Sequence, residues 1–126
     1  MEGVTHYAMS ACLILAGLIH LIPGIAAFAP SRMVSLYEIR TEDVTLLLLL
    51  RHRAVLFALL GAALLVAAFC PAWHLSAAVA ALLSMLSFIF FARGSVLPPA
   101  IIRVIRIDIG LSLLLGLTLL LRLVSG

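Results

Sequence analysis

Apolar positions along the chain form four long continuous runs, and most polar positions gather between them. The runs lie near residues 7–29, 44–70, 72–93 and 98–122. Each is long enough to cross a hydrocarbon core that needs about 20 helical residues. They are rich in Leu and Ala and lack the alternation that is typical of a membrane β-barrel. The pattern predicts a single all-α domain over residues 1–126, an integral membrane four-helix bundle.

Helix-starting and helix-ending residues support these bounds. Thr41 is a candidate N-cap for the second helix, and Pro98 and Pro99 are typical of the start of the fourth. Pro71 leaves room only for a tight hairpin between the second and third helices. Residues 31–40 carry apolar side chains at helical spacing, which predicts a short amphipathic helix at the membrane interface.

The composition narrows the class of protein and of partner. Hydrophobic residues make up 66% of the chain and charged residues only 10%, against about 25% charged in soluble domains. The net charge is +3, and all eight basic residues are arginine, which keeps its charge when it is partly desolvated. We expect anionic membrane lipids as partners, with other membrane subunits or a second copy as alternatives. Nucleic acid is not expected, because no basic face with interleaved aromatic residues is present.

The arginines predict an orientation. Seven of the eight lie on the side of the connections at 30–43 and 93–98, and only Arg122 lies on the other. The positive-inside rule makes those two connections cytoplasmic and places both termini on the outer side. Arginines near helix ends commonly anchor to lipid headgroups. The predicted anchors are Arg32, Arg40, Arg51, Arg93 and Arg103.

Several polar side chains fall at one depth, about 9 to 15 Å from the cytoplasmic ends of the helices. They are His20, His52, Arg53, Ser84, Ser87, Arg106 and Asp108. Polar groups in hydrocarbon must be paired or line a wet cavity. One interpretation is a buried ion pair that fixes helix register, with Asp108 facing Arg53 or His52. The other is a cytoplasm-facing pocket in which Arg53 and Arg106 hold an anionic head and Asp108 or His20 carries a proton.

Small residues at helical spacing predict where the helices pack closely. Gly17, His20 and Gly24 share one face of the first helix, so His20 either makes an interhelical hydrogen bond or serves a ligand or proton. Two further faces are predicted to form packing seams. They consist of Ala54, Ala58 and Ala62 on the second helix, and of Ala80, Ser84 and Ser87 on the third.

Signatures of hydrolases and nucleotide-binding enzymes are missing from the sequence. It has no HExxH, no glycine-rich phosphate loop and no GxSxG. We predict no catalytic residue, no metal site and no cofactor. A haem held by His20 and His52, which lie at similar depth on different helices, is the minor alternative.

Four residues are predicted near the outer face. His6 and His74 are expected to be solvated there. Cys12 and Cys70 either form a structural disulfide or are two free cysteines in apolar surroundings.

The sequence resembles a family of small, uncharacterised bacterial membrane proteins that are loosely DoxX-like. The resemblance rests on Gly17-Leu-Ile-His20-Leu-Ile-Pro-Gly24, on Leu50-Arg51-His52-Arg53-Ala54-Val55-Leu56-Phe57 and on Ser84-Met85-Leu86-Ser87-Phe88, with Ser31-Arg32 and Leu36-Tyr37 between the first two stretches. It implies a four-helix fold and a location in the bacterial inner membrane, and it offers no established catalytic residues to carry over. Some members carry a phosphopantetheine adenylyltransferase label, but this chain lacks the His-x-Gly-His motif of that activity.

Two functional hypotheses follow. The first is a non-enzymatic accessory or interaction subunit of a membrane complex or homo-oligomer, whose buried Arg/His/Asp layer binds lipid or fixes helix register. The alternative is an enzyme or carrier that handles a lipid or small molecule in a cytoplasm-facing polar pocket.

Overall fold

The prediction of an all-α four-helix protein is confirmed by the structure, a computed structural model that describes residues 2–28 and 42–126, without the side chains of residues 26 and 27. The four helices are α1 (Glu2–Ala27), α2 (Val44–Ala68), α3 (His74–Ala92) and α4 (Pro99–Ser125). Each is long and apolar enough to cross a membrane. The predicted interfacial helix at 31–40, together with Arg32 and Arg40, lies outside the described residues.

Local chemistry explains where α2 and α4 begin. Asp43, not Thr41, caps α2, because its carboxylate accepts hydrogen bonds from the backbone N–H groups of Thr45 at 2.9 Å and Leu46 at 3.2 Å. Pro98 and Pro99 start α4, where a missing N–H leaves no intrahelical bond unmade.

The connections from α2 to α3 and from α3 to α4 are short. A single 3₁₀ turn, Pro71–Trp73, joins α2 to α3, as the position of Pro71 predicts. The connection from α3 to α4 passes through Gly94, whose φ of +79° is a left-handed conformation that favours glycine. The start of α1 lies on the side of the 3₁₀ turn, because His6 stacks on His74, and the end of α4 lies there too, because Arg122 donates a hydrogen bond to the carbonyl oxygen of Pro71.

The closest helix pair is α1 with α2, and glycine makes it possible. A methyl group added to Gly17 would lie 2.8 Å from the carbonyl oxygen of Gly61, and one added to Gly61 would lie 2.7 Å from the carbonyl oxygen of Gly17. Gly24 faces Ala58 in the same way. Two backbones thus pack directly on each other, as in other membrane helix pairs with small residues at the interface.

The predicted small-residue faces need correction in register. Ala54 is buried and Ala58 packs on Gly24, but Ala62 is exposed and Gly61 occupies the seam instead. On α3, Ala80 is exposed, and the buried face runs through Ala78 and Ala81. Each shift is one residue, or about 100° of helix rotation.

The middle of the bundle is an apolar layer, defined here by Leu13, Leu64, Met85 and Leu115, each at most 1% exposed. One side chain comes from each helix, so the layer closes the bundle interior. The outer surface is also apolar; Leu113, for example, is 69% exposed. Apolar side chains both inside the bundle and on its outer surface are expected when the surrounding solvent is hydrocarbon.

Candidate functional site

A cavity of about 130 Å³ lies between the four helices, on the side of the 93–98 connection. The C-terminal halves of α1 and α3 and the N-terminal halves of α2 and α4 form it. Its polar side chains are His20, Arg53, Arg103 and Asp108. Its apolar walls are Ile19, Ile22, Pro23, Phe57, Phe88, Ala100, Val104 and Ile107. The cavity therefore combines an apolar wall with a few charged groups, as ligand-binding pockets do.

Arg53 is held between two aromatic rings. Its guanidinium carbon lies 4.7 Å from the centre of the Phe57 ring and 5.0 Å from that of Phe88. Phe57 is one helical turn from Arg53 on α2, whereas Phe88 reaches it from α3. Such contacts stabilise a cation in apolar surroundings. The rings fix the position of the guanidinium without using its hydrogen-bond donors.

Asp108 gives the cavity its only carboxylate among the described residues. It is almost fully buried, with 9% of its surface exposed, and it interacts electrostatically with Arg53. Between these two described side chains, however, no nitrogen and oxygen lie within the 4.0 Å of a direct salt bridge. The space between the charges therefore belongs to the cavity.

His20 faces the cavity with a defined tautomer. Its Nδ1 lies 2.7 Å from the carbonyl oxygen of Ala16, and because a carbonyl only accepts, Nδ1 must donate. In the neutral ring Nε2 is then the proton acceptor. The bond stays within α1, so the predicted interhelical hydrogen bond is wrong. The ring instead contacts α2 through Phe57, at 5.6 Å between ring centres.

Arg103 completes the site from its rim. On α4, Ala100, Val104 and Asp108 recur every four residues and line the cavity, and Arg103 stands beside this face. Arg103 is exposed, so its side chain joins the cavity to the surface. The sequence analysis predicts Arg103 only as a headgroup anchor. The spacing of Ala100, Val104 and Asp108 by four residues is the pattern that could have indicated the cavity face of α4, next to which Arg103 lies.

The seven side chains predicted to share one polar layer separate in the structure. His20, Arg53 and Asp108 meet at the cavity, whereas the other four do not line it. His52 and Arg106 are exposed on the bundle surface, so neither takes the position next to Asp108 that was predicted for His52 or the role with Arg53 that was predicted for Arg106. Their helices turn these positions outward. His52 is therefore outside the cavity that His20 lines.

The two serines of the predicted layer also lie apart from the cavity. Ser87 is exposed and donates a hydrogen bond to the carbonyl oxygen of Ser84 at 2.9 Å. Ser84 is half-buried. This bond stays within α3, so Ser87 satisfies its hydroxyl locally and does not contribute to a shared polar layer.

The predicted anchors that fall in the described residues are at the surface. Arg51, Arg93 and Arg103 are all exposed. The guanidinium carbon of Arg93 lies 5.3 Å from the centre of the Phe90 ring. Exposure at helix ends is compatible with headgroup contact.

The opposite end of the bundle differs from expectation. His74 is completely buried, not solvated, and His6 stacks on it with ring centres 5.1 Å apart. Both cysteines are free; Cys12 is buried with its Sγ 3.5 Å from Oγ1 of Thr118, and Cys70 is half-buried. Within residues 2–28 and 42–126, no group of three or more His, Cys, Asp or Glu side chains is placed to hold a metal ion.

Comparison with protein-family models, with curated proteins and with solved structures finds no match to this chain. The DoxX-like resemblance therefore stays a prediction. What the described residues define is a class: a membrane protein of four helices with a charged, otherwise apolar cavity between them.

Proposed function

We propose that this protein is a non-enzymatic membrane protein that binds a lipid or other amphiphile with an anionic head in the Arg53–Asp108 cavity. The observation that carries the proposal is the pair of arginines, Arg53 and Arg103, on an otherwise apolar cavity. Guanidinium groups bind carboxylate and phosphate through paired hydrogen bonds. Apolar walls suit the chain that follows such a head.

Charge and size limit the ligand. Arg53 and Arg103 carry two positive charges and Asp108 one negative charge, which leaves one positive charge to be matched by a monoanionic head. The cavity, at about 130 Å³, is smaller than the roughly 300 to 1,000 Å³ of pockets that enclose a whole drug-sized ligand. It suits a head group and not a whole lipid, so the chain of the ligand must lie on the bundle surface. Ile22 and Ile107, which line the cavity and are also exposed, mark that exit.

The proposed setting is the bacterial inner membrane, with the cavity near the cytoplasmic leaflet and both termini outside. The arginine distribution supports this orientation through the positive-inside rule. The broad apolar surface suits an accessory or interaction subunit of a larger complex, or a homo-oligomer.

The test is lipid binding by the whole chain in nanodiscs. Native mass spectrometry of protein in phosphatidylglycerol and in phosphatidylcholine nanodiscs should show selective retention of the anionic lipid. Removing one charged hydrogen-bonding group weakens binding by about tenfold or more, so Arg53→Gln and Arg103→Gln should each do so. Arg106→Gln is the matched control, because Arg106 lies on the same helix as Arg103 but outside the cavity. Equal lipid retention by all three variants would refute the proposal.

A second candidate, a lipid-handling enzyme or carrier, is favoured by one observation. His20 and Asp108, two side chains able to exchange protons, face the same cavity as Arg53. Turnover or transport separates the candidates, because both are expected to keep the ligand in Asp108→Asn. An enzyme or carrier turns over or transports its ligand and loses that activity in Asp108→Asn, whereas a binding protein has no such activity to lose. Turnover by the purified wild-type monomer that Asp108→Asn abolishes would replace the first proposal by the second.

A further inference from the structure

Two buried side chains of the Arg53–Asp108 cavity offer hydrogen-bond acceptors that the protein leaves unused. Asp108 is 9% exposed and His20 is 4% exposed. The only polar interaction of the Asp108 side chain with another described residue is the electrostatic one with Arg53. His20 donates from Nδ1 to the carbonyl oxygen of Ala16, and its Nε2 has no hydrogen-bond partner among the described residues. Each of the two groups can therefore still accept a hydrogen bond.

These acceptors face the cavity and are not enclosed in the protein. Among the described residues, the unpaired polar atoms that are fully enclosed belong to His74, Ser112 and Arg122. The carboxylate oxygens of Asp108 and Nε2 of His20 are not among them, so they are accessible from the cavity that both side chains line. A buried acceptor without a donor is costly. A molecule in the cavity must supply the donors.

The two arginines of the same cavity require the opposite kind of partner. The guanidinium of Arg53 lies over the rings of Phe57 and Phe88, which leaves its N–H groups for a ligand. Arginine only donates hydrogen bonds, whereas a carboxylate and an unprotonated imidazole nitrogen only accept them. A head with an anionic group alone would satisfy the arginines and leave the two acceptors unpaired. The ligand must therefore carry both acceptors and donors.

Charge selects the kind of donor. Either an ammonium or a hydroxyl group can donate to a carboxylate. An ammonium would make the head zwitterionic, and a head without net charge would leave unmatched the one positive charge by which Arg53 and Arg103 exceed Asp108. A hydroxyl donates without adding charge. A monoanion that carries hydroxyl groups thus matches both the charge and the acceptors of the cavity.

We propose that the head of the ligand is a hydroxylated monoanion of the glycerol phosphodiester class. Its anionic oxygens contact Arg53 and Arg103, and its hydroxyls donate to Asp108 and His20. This inference rests on the function proposed above and names the class of head that the cavity takes. A glycerol head has one hydroxyl for each of the two acceptors. A site that hydrogen-bonds a hydroxyl discriminates against an analogue that lacks it, because the buried polar groups of the site are then unpaired.

The experiment compares phosphatidylglycerol with phosphatidylmethanol, which has the same phosphodiester and charge but a methyl group in place of glycerol. Phosphatidylcholine nanodiscs contain equal minor amounts of the two lipids with identical acyl chains. Native mass spectrometry of the full chain released from these nanodiscs gives the ratio in which the two are retained. We expect the wild type to retain phosphatidylglycerol over phosphatidylmethanol by about tenfold.

Variants of Asp108 test whether this preference arises from its carboxylate. Asp108→Leu removes the acceptor and keeps both arginines, so it should retain anionic lipid but bring the ratio toward one, because the charged acceptor makes the stronger bond. Asp108→Asn keeps an acceptor oxygen and should keep the preference. Ser112→Ala is the matched control, since Ser112 is buried one turn further along α4 but does not line the cavity.

The outcomes distinguish this inference from the proposed function. Equal retention of the two anionic lipids by the wild type, both above phosphatidylcholine and both reduced in Arg53→Gln, would keep the proposed function and overturn the inference, because water would then serve the acceptors. This comparison needs no variant of Asp108 that folds. A preference for phosphatidylglycerol that is unchanged in both Asp108→Leu and His20→Leu would also overturn the inference. Retention of neither anionic lipid above phosphatidylcholine would overturn both proposals.

Discussion

Replacing Gly61 by alanine tests the direct backbone contact between α1 and α2. The added methyl group would lie 2.7 Å from the carbonyl oxygen of Gly17 and 3.0 Å from the backbone nitrogen of Leu21. Both are backbone atoms, so no flexible side chain can move aside. Since ordinary contacts between such atoms begin near 3.4 Å, the helices must separate by roughly 0.5 Å or more.

Two effects of opposite sign set the magnitude. Alanine favours a helix over glycine by about 1 kcal/mol, whereas overpacking a closely packed contact costs about 1 to 3 kcal/mol. We therefore expect Gly61→Ala to lower the free energy of unfolding by up to about 2 kcal/mol. Gly110 and Gly116 on α4 provide the matched control, because a methyl group on either would meet nothing within 4 Å. At these positions only the higher helix propensity of alanine acts, so the free energy of unfolding should rise by up to about 1 kcal/mol.

Thermal unfolding in one mild detergent, followed by circular dichroism, compares these variants with the wild type. The order of midpoints should be Gly61→Ala, wild type, then Gly110→Ala. The close contact would be disproved if Gly61→Ala were as stable as Gly110→Ala, since α1 and α2 would then have room that the structure denies them.

Three further predictions concern packing, capping and the cysteines. Leu13→Ala should lower the free energy of unfolding by about 2 to 5 kcal/mol, because Leu13 is fully buried in the apolar layer. Its control, Leu113→Ala on the exposed surface, should change the free energy of unfolding by less than about 0.5 kcal/mol. Equal effects would contradict the assigned helix faces. Asp43→Ala removes the cap of α2 and should cost about 0.5 to 2 kcal/mol, measured by the same unfolding assay against Glu42→Ala, which leaves the cap in place. Without reductant, Cys70 should be alkylated faster than the buried Cys12 in folded protein, and both should react after denaturation; a mass two hydrogens lower in the intact chain would reveal a disulfide instead.

The number, type and approximate bounds of the helices follow from sequence, because crossing hydrocarbon demands long apolar runs. Which side of each helix faces inward does not. Leu13 is fully buried and Leu113 is 69% exposed, yet both are leucine in a leucine-rich run. Where the interior and the solvent are equally apolar, periodicity loses its information. Small residues still indicate which face packs, because only they allow two backbones to touch. Gly17 and Gly24 are predicted to share a packing face of α1, and both do face α2.

The candidate site shows the same division. Depth along a helix follows from counting residues, so His20, Arg53 and Asp108 were found at one level. The rotation of each helix about its own axis does not follow from counting residues. This rotation determines that Arg103 lines the cavity and Arg106 does not.

The prediction that His74 is solvated is wrong for a different reason. The helices α1 and α4 extend to Glu2 and Ser125, beyond the predicted 7 and 122. The added turn of α1 carries His6, which stacks on the buried His74, and Arg122 in the last turn of α4 lines a cavity with His6 at the same end of the bundle.

The apolar layer of Leu13, Leu64, Met85 and Leu115 also determines how the protein would experience a membrane voltage. With no polar side chain among these four and each at most 1% exposed, the interior at this level has a low dielectric constant, and most of the potential falls across it. The Arg53–Asp108 cavity and the buried His74 then lie on opposite sides of this layer. Carrying a unit charge across the whole potential costs or releases about 2.3 kcal/mol per 100 mV, so a charged ligand that enters the cavity from its own side of the layer would cross little of that potential.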